Sequence, residues 1–78
     1  MKVLTFGITK EIVGSRSIDV PVNLALTVGE LRAYLTDMYS DLQKLNSLAI
    51  AVNEEYATDE KRLTESDVVA LIPPVSGG

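Results

Sequence analysis

From Lys2 to Ile8 the chain alternates, with Leu4, Phe6 and Ile8 on one side and Val3 and Thr5 on the other, which predicts a strand. Gly7 marks a bulge or a close backbone approach within it. Thr9 to Val13 reads as a turn that stops at Gly14. A second strand follows from Ser17 to Val22, with Ile18, Val20 and Val22 on one face and Asp19 and Pro21 on the other. Pro21 has no N–H to donate to a ladder, so this strand belongs at a sheet edge. Together the two strands form a hairpin with a long loop.

The helical period takes over next. Thr27 is an N-cap residue with Glu30 three positions on, which makes a capping box, and Leu26 and Leu31 flank it with hydrophobic-staple spacing. Leu31, Leu35, Met38 and Leu42 form one apolar stripe, while Arg32, Thr36 and Asp37 fall off it. Such a stripe packs a core far more often than it binds a ligand. Ser40 and Gln43 repeat the capping spacing and predict a short second turn.

Leu48 to Val52 is the next apolar run, its large residues at Leu48, Ile50 and Val52 separated by alanines that suggest close packing on their side. Asn53-Glu54 predicts a tight turn into a short return around Tyr56. Thr58 to Arg62 reads as a solvated loop and Thr64 to Asp67 as another turn. Val68 to Ile72 is uninterruptedly apolar, which predicts a strand buried on both faces. The order β-β-α-β-(β)-β gives a two-layer α+β roll, with a late strand parallel to an early one by the crossover rule.

Composition narrows the function. The 78 residues make one domain, and residues 1–72 are read as its body with 73–78 as a flexible tail. There is no cysteine and no histidine, so the thiolate nucleophile and the commonest general base are both missing. Gly7, Gly14 and Gly29 are isolated and make no phosphate loop. The chain is expected not to be an enzyme alone; it takes part in chemistry as substrate, carrier or subunit. A net charge of −4 argues against nucleic acid, and no apolar stretch approaches the length of a membrane span. The absence of cysteine suits a cytoplasmic setting.

The sequence ends on Ile72-Pro73-Pro74-Val75-Ser76-Gly77-Gly78. The two prolines stop the strand, and the two glycines, lacking Cβ atoms, thread a slot too narrow for any other residue. This predicts a carboxylate carried on a thin stalk off a folded body. A frayed end is the plain alternative, although two consecutive glycines at one end arise by chance in only about half a percent of chains.

Val3-Leu4-Thr5-Phe6-Gly7, Ala51-Val52-Asn53-Glu54-Glu55, Asp67 to Ile72 and Pro73-Pro74-Val75-Ser76-Gly77-Gly78 resemble the molybdopterin synthase small-subunit family, the MoaD-type sulfur carriers. The resemblance spans the whole chain in order, and its most specific piece is the final Pro-Pro-Val-Ser-Gly-Gly. The chain departs from the family where a second aromatic often precedes Phe6 (Thr5 here), at Gly7 (often Ala), at Lys10 (often Arg) and in the turn Glu65-Ser66-Asp67. The resemblance implies a ubiquitin-like β-grasp fold, a mixed sheet of four to five strands with one main helix across one face and the first and last strands parallel at its centre.

It also implies a mechanism. Gly78 would be adenylated and converted to a thiocarboxylate, with Gly77 giving access. The sulfur would pass to cyclic pyranopterin monophosphate to form the molybdopterin dithiolene. The implied partners are the large synthase subunit (MoaE-type), a ubiquitin-activating-like adenylyltransferase (MoeB-type) and a sulfur donor such as a cysteine desulfurase or rhodanese. No cofactor would be held by this chain; ATP and Mg²⁺ belong to the activating partner. Phe6, Tyr56, Ile72, Pro73, Pro74, Val75 and Ser76 match the family's apolar docking patch near the tail, against the plainer reading that Phe6 and Ile72 are core. Carriers for thiamine thiazole synthesis or tRNA thiolation share the fold and the Gly-Gly end, and a β-grasp binding module without covalent chemistry is the alternative of another class.

Overall fold

The computed structural model describes residues 1–45 and 47–74. Five strands and two α-helices follow in the order β1 (Lys2–Thr5), α1 (Gly7–Val13), β2 (Ser17–Asp19), α2 (Val28–Met38), β3 (Ala49–Val52), β4 (Glu55–Tyr56) and β5 (Val68–Ile72), with 3₁₀ turns at Val22–Leu24 and Ser40–Lys44. The strands form one mixed sheet in the order β2-β1-β5-β3-β4. β1 and β5 are parallel and every other pair is antiparallel. This is the β-grasp roll, and β2, the strand that precedes Pro21, lies at the edge.

Register decides which side chains share a face. Val3 pairs with Ile18 and Val69, Thr5 with Leu71, Ile50 with Leu71, and Val52 with Val69. These residues line the inner face, where Val28, Leu31, Leu35 and Leu42 from the helical layer complete a core that excludes water. Each large aliphatic buried there contributes roughly 1.5–3 kcal/mol relative to exposure.

The capping box at Thr27 forms as predicted. The Thr27 hydroxyl accepts from the Glu30 N–H at 3.2 Å, and the Glu30 carboxylate accepts from the Thr27 and Leu26 N–H groups at 3.1 Å. The segment predicted as a solvated loop supplies the rest of the helix start. The Asp59 and Lys61 carbonyls accept from the Gly29 and Val28 N–H groups at 3.0 and 2.9 Å. A Cβ on Gly29 would stand 3.2 Å from the Asp59 Cβ, so a side chain there would push the loop away.

Several expectations change. β1 stops at Thr5 rather than Ile8, and the segment read as a turn is the helix α1. Thr9 is responsible: buried, its hydroxyl accepts from the Phe6 N–H at 2.9 Å and donates to the Phe6 carbonyl at 2.6 Å, while Gly14 closes the helix in the left-handed region. Met38 leaves the apolar stripe, because α2 ends at that residue and its side chain is 49% exposed; Val28 takes its place in the core, and Leu42 reaches it from the 3₁₀ turn. β2 likewise ends at Asp19, three residues before the predicted limit.

The last change bears on function. β5 is not buried on both faces: Val69 and Leu71 are, but Val68, Ala70 and Ile72 alternate outward onto a face that no helix covers. The alanines of β3 face the same way, since Ala49 pairs with Ile72 and Ala51 with Ala70.

Candidate functional site at the open sheet face

The open face is built by one register. Leu4, Ala70, Ala51 and Tyr56 sit side by side across four strands, with Val68 and Ile72 two residues to either side of Ala70 along β5. The small side chains of Ala51 and Ala70 leave a shallow floor, and the larger residues stand around it. The result is a groove of about 580 Å³ lined mainly by Leu4, Phe6, Tyr56, Val68 and Ile72, with Asn53 and Glu54 closing its far end. Phe6 is 49% exposed and Tyr56 75% exposed, so neither is a core residue. Ile72 is half-buried on the outward face. The reading that placed Phe6 and Ile72 in the interior is thereby set aside.

Position along the strands matters as much as face. β1 and β5 run in the same direction, so Phe6, one residue past β1, and Pro73, one past β5, emerge at the same end of the sheet. Gly7 lies between them in a left-handed conformation (φ +55°), and a Cβ there would meet the Pro73 ring at 3.3 Å. Pro73 and Pro74 are half-buried at this end. The predicted docking residues Phe6, Ile72 and Pro73 therefore gather around the root of the terminal segment, with Pro74 following, while Tyr56 borders the same groove from β4, level with Ala70. Val75, Ser76, Gly77 and Gly78, the remaining predicted site residues, lie outside the described residues.

The opposite end of the groove is held by a side-chain clip. Asn53 and Glu54 both adopt positive φ (51° and 71°), the geometry of a two-residue hairpin turn. The Asn53 side chain accepts from the Val68 N–H at 3.0 Å and donates to Asp67 Oδ1 at 2.9 Å, while Asp67 Oδ2 accepts from the Thr64 N–H at 2.8 Å. These bonds, the Thr64 N–H foremost and then the Asn53 amide, hold the Asp67 carboxyl below the ordinary carboxylate range. The clip fixes the start of β5, the strand that carries the groove's central row. Sequence reading identified both turns but not the link between them, for which the Asn/Asp pair was the available signal.

Among the described residues no group of acidic side chains is arranged to hold a metal ion, and no helix is long and apolar enough to cross a membrane. Among the described residues no acid–base pair or nucleophile lines the groove, and the arrangement can bind an apolar surface.

Comparison with known proteins agrees with this geometry. The molybdopterin synthase sulfur carrier subunit of Caenorhabditis briggsae is 36% identical over 81 residues, covering 100% of this chain and 96% of that protein. The subunit of the same name from Escherichia coli is 33% identical over 81 residues, covering 100% and 99%. Among solved structures, small archaeal modifier protein 1 of Haloferax volcanii superposes with a TM-score of 0.83 at 29% identity, over 100% of this chain and 98% of that one. A chain of the complex between subunits 1 and 2 of the molybdopterin-converting factor from Helicobacter pylori superposes with a TM-score of 0.68 at 29% identity, over 99% and 96%. The ThiS family model matches residues 3–78, almost the entire sequence, and the chain belongs to the ThiS family.

Proposed function

We propose that this chain is the sulfur carrier subunit of molybdopterin synthase. The observation that carries the reading is its full-length similarity, at 32–36% identity, to proteins bearing that name from plants, nematodes, an amoeba and a bacterium. An uncovered apolar groove at the root of the terminal segment supports it, since a carrier has to dock its body on a partner before its end can reach a remote active site.

The chemistry follows from the acyl group. A carboxylate is a poor electrophile because its oxygen leaves badly. Attack of the Gly78 carboxylate on the α-phosphorus of ATP, held with Mg²⁺ by an adenylating partner, forms an acyl-adenylate and releases pyrophosphate. Sulfur at the sulfide level then attacks the acyl carbon and expels AMP, leaving a thiocarboxylate, a stronger nucleophile that keeps its negative charge. Sulfur delivered as a persulfide gives an acyl disulfide first, which a thiol reductant cleaves to the same thiocarboxylate. In the large synthase subunit the thiocarboxylate sulfur bonds to the pterin precursor, water then cleaves the acyl–sulfur bond and regenerates the Gly78 carboxylate, and two such transfers complete the dithiolene. Gly77 and Gly78 contribute narrowness; Phe6, Tyr56, Ile72, Pro73 and Pro74 contribute the docking surface, which is covered in the complex. The chain has no cysteine to compete for the activated acyl group.

The test is reconstitution: the charged protein and a large synthase subunit should together convert cyclic pyranopterin monophosphate to molybdopterin. Co-purification with a thiazole synthase instead of a large synthase subunit would assign the carrier to another pathway. The likeness to small archaeal modifier protein 1 favours a second use of the same activated glycine, capture by a lysine amine to form an isopeptide bond. Conjugates surviving a denaturing gel would establish it.

A further inference from the structure

Beside the groove, at the end from which Pro73 emerges, lies a separate hollow of about 390 Å³ lined by Leu4, Thr5, Phe6, Gly7, Lys10 and Arg16. Lys10 projects from α1 and Arg16 from the turn leading into β2, whose backbone carbonyl accepts from the Thr5 N–H at 2.9 Å. Both side chains are exposed, and among the described residues neither takes part in an ion pair, which they share with Lys2, Lys61 and Arg62, whereas Arg32 and Lys44 are paired with Asp59 and Asp41. What sets Lys10 and Arg16 apart is their place at this end of the sheet. A chain of net charge −4 thus carries two uncompensated cations where its terminal segment departs.

We infer that Lys10 and Arg16 form a cationic contact that docks against carboxylates on the rim of the partner site receiving the terminal segment. The inference rests on the carrier reading above and adds the chemistry of the partner's rim. Two arguments fix the occupant as protein carboxylate rather than phosphate. The six residues from Pro73 onward span at most about 20 Å when extended, so with the end inserted in a remote site the reacting phosphates lie far from cations at the root. The overall negative charge also disfavours a polyanion. The hollow shares Leu4 and Phe6 with the apolar groove, so the two cations border the surface on which a partner body is seated. Apolar contact has no direction; a charged pair at one end of the groove supplies orientation and speeds encounter.

The experiment measures association rates between this chain and the large synthase subunit as a function of salt. Lys10→Glu/Arg16→Glu should associate about tenfold more slowly at low ionic strength and show a flattened or inverted salt dependence. Lys44→Glu/Arg62→Glu, which changes net charge equally at positions lining neither the groove nor the hollow, should retain most of the parent rate. Equal slowing by both variants would reduce the effect to net charge and overturn the inference, as would an unchanged rate and salt slope in the first variant. If the parent chain neither binds the large subunit nor acquires sulfur at its end, the carrier reading itself fails; if it does both and the Lys10/Arg16 variant is indistinguishable from it, only the cationic contact fails.

Discussion

Replacing Phe6 with alanine separates docking from folding. About half of this side chain is exposed. A phenylalanine side chain offers roughly 150–250 Å², so about 100 Å² of Phe6 remains for a partner to cover. At about 25 cal/mol per Å² that area is worth near 2.5 kcal/mol, or about 50-fold in Kd once some ordering cost is set against it. The half already buried in the free chain is of similar area, and Phe6→Ala should lower the unfolding free energy by about 1.5–2.5 kcal/mol once burial remaining in the unfolded chain is allowed for. Leu71→Ala is the counterpart, since Leu71 on the same sheet is wholly buried on the inner face and its truncation should cost about 2–5 kcal/mol. Calorimetric titration against the large synthase subunit, paired with urea unfolding of each variant, reads both quantities. A Phe6→Ala protein destabilised as much as Leu71→Ala, with an affinity within twofold of the parent, would refute the assignment of Phe6 to a docking surface.

Further outcomes test other parts of the account. Thr27→Ala removes the hydroxyl that caps α2 and should cost about 1 kcal/mol in urea unfolding, with Thr27→Ser restoring most of it. Asn53→Ala loses the clip to Val68 and Asp67 and places a residue less tolerant of positive φ in the turn; faster amide exchange at Val68 and a lower melting temperature should follow. Because the folded state holds the Asp67 carboxyl below its ordinary value of 3.8, its contribution to stability is fully present above that value and lost as pH falls through the lowered folded value. Acid unfolding of Asp67→Asn should therefore show a smaller loss below pH 3.8 than the parent, an effect kept modest by solvent exposure. Adding residues after Gly78 should abolish sulfur acquisition while leaving affinity for the large subunit largely intact.

The legible parts of the fold were those written in local chemistry. Thr27 and Glu30 three residues apart specify a helix start by themselves, Asn53-Glu54 specifies a tight turn, and the strand before Pro21 lies at the edge as expected, although it ends at Asp19 and Pro21 stands outside it. α1 was illegible because Ile8, Thr9, Ile12 and Val13 are β-branched, a composition that favours a strand or turn over a seven-residue helix. What makes it helical is the burial of Thr9 with its hydroxyl on both polar groups of Phe6, a tertiary circumstance. The apolar run of β5 misled in a more useful way. Uninterrupted hydrophobicity implies that both faces are covered, but both helices pack on one side of this sheet, so Val68, Ala70 and Ile72 are left for a partner to cover. The expected docking residues Phe6, Tyr56, Ile72 and Pro73 came from family resemblance; the meeting of Phe6, Ile72 and Pro73 at one end comes from the parallel pairing of β1 with β5, and Tyr56 joins the groove through the β3–β4 hairpin. The Lys10–Arg16 hollow had no sequence signal, since the two residues are brought together only by α1 and the turn into β2.

The central claim is that Gly78 carries sulfur, and intact mass spectrometry addresses it most directly. The protein is incubated with a ubiquitin-activating-like adenylyltransferase, ATP, Mg²⁺ and a sulfur donor, then weighed. The account predicts replacement of one oxygen by one sulfur, located by fragmentation to Gly78 and dependent on ATP. A mass that stays unchanged while the chain still binds the adenylyltransferase would contradict it and leave a binding module in its place.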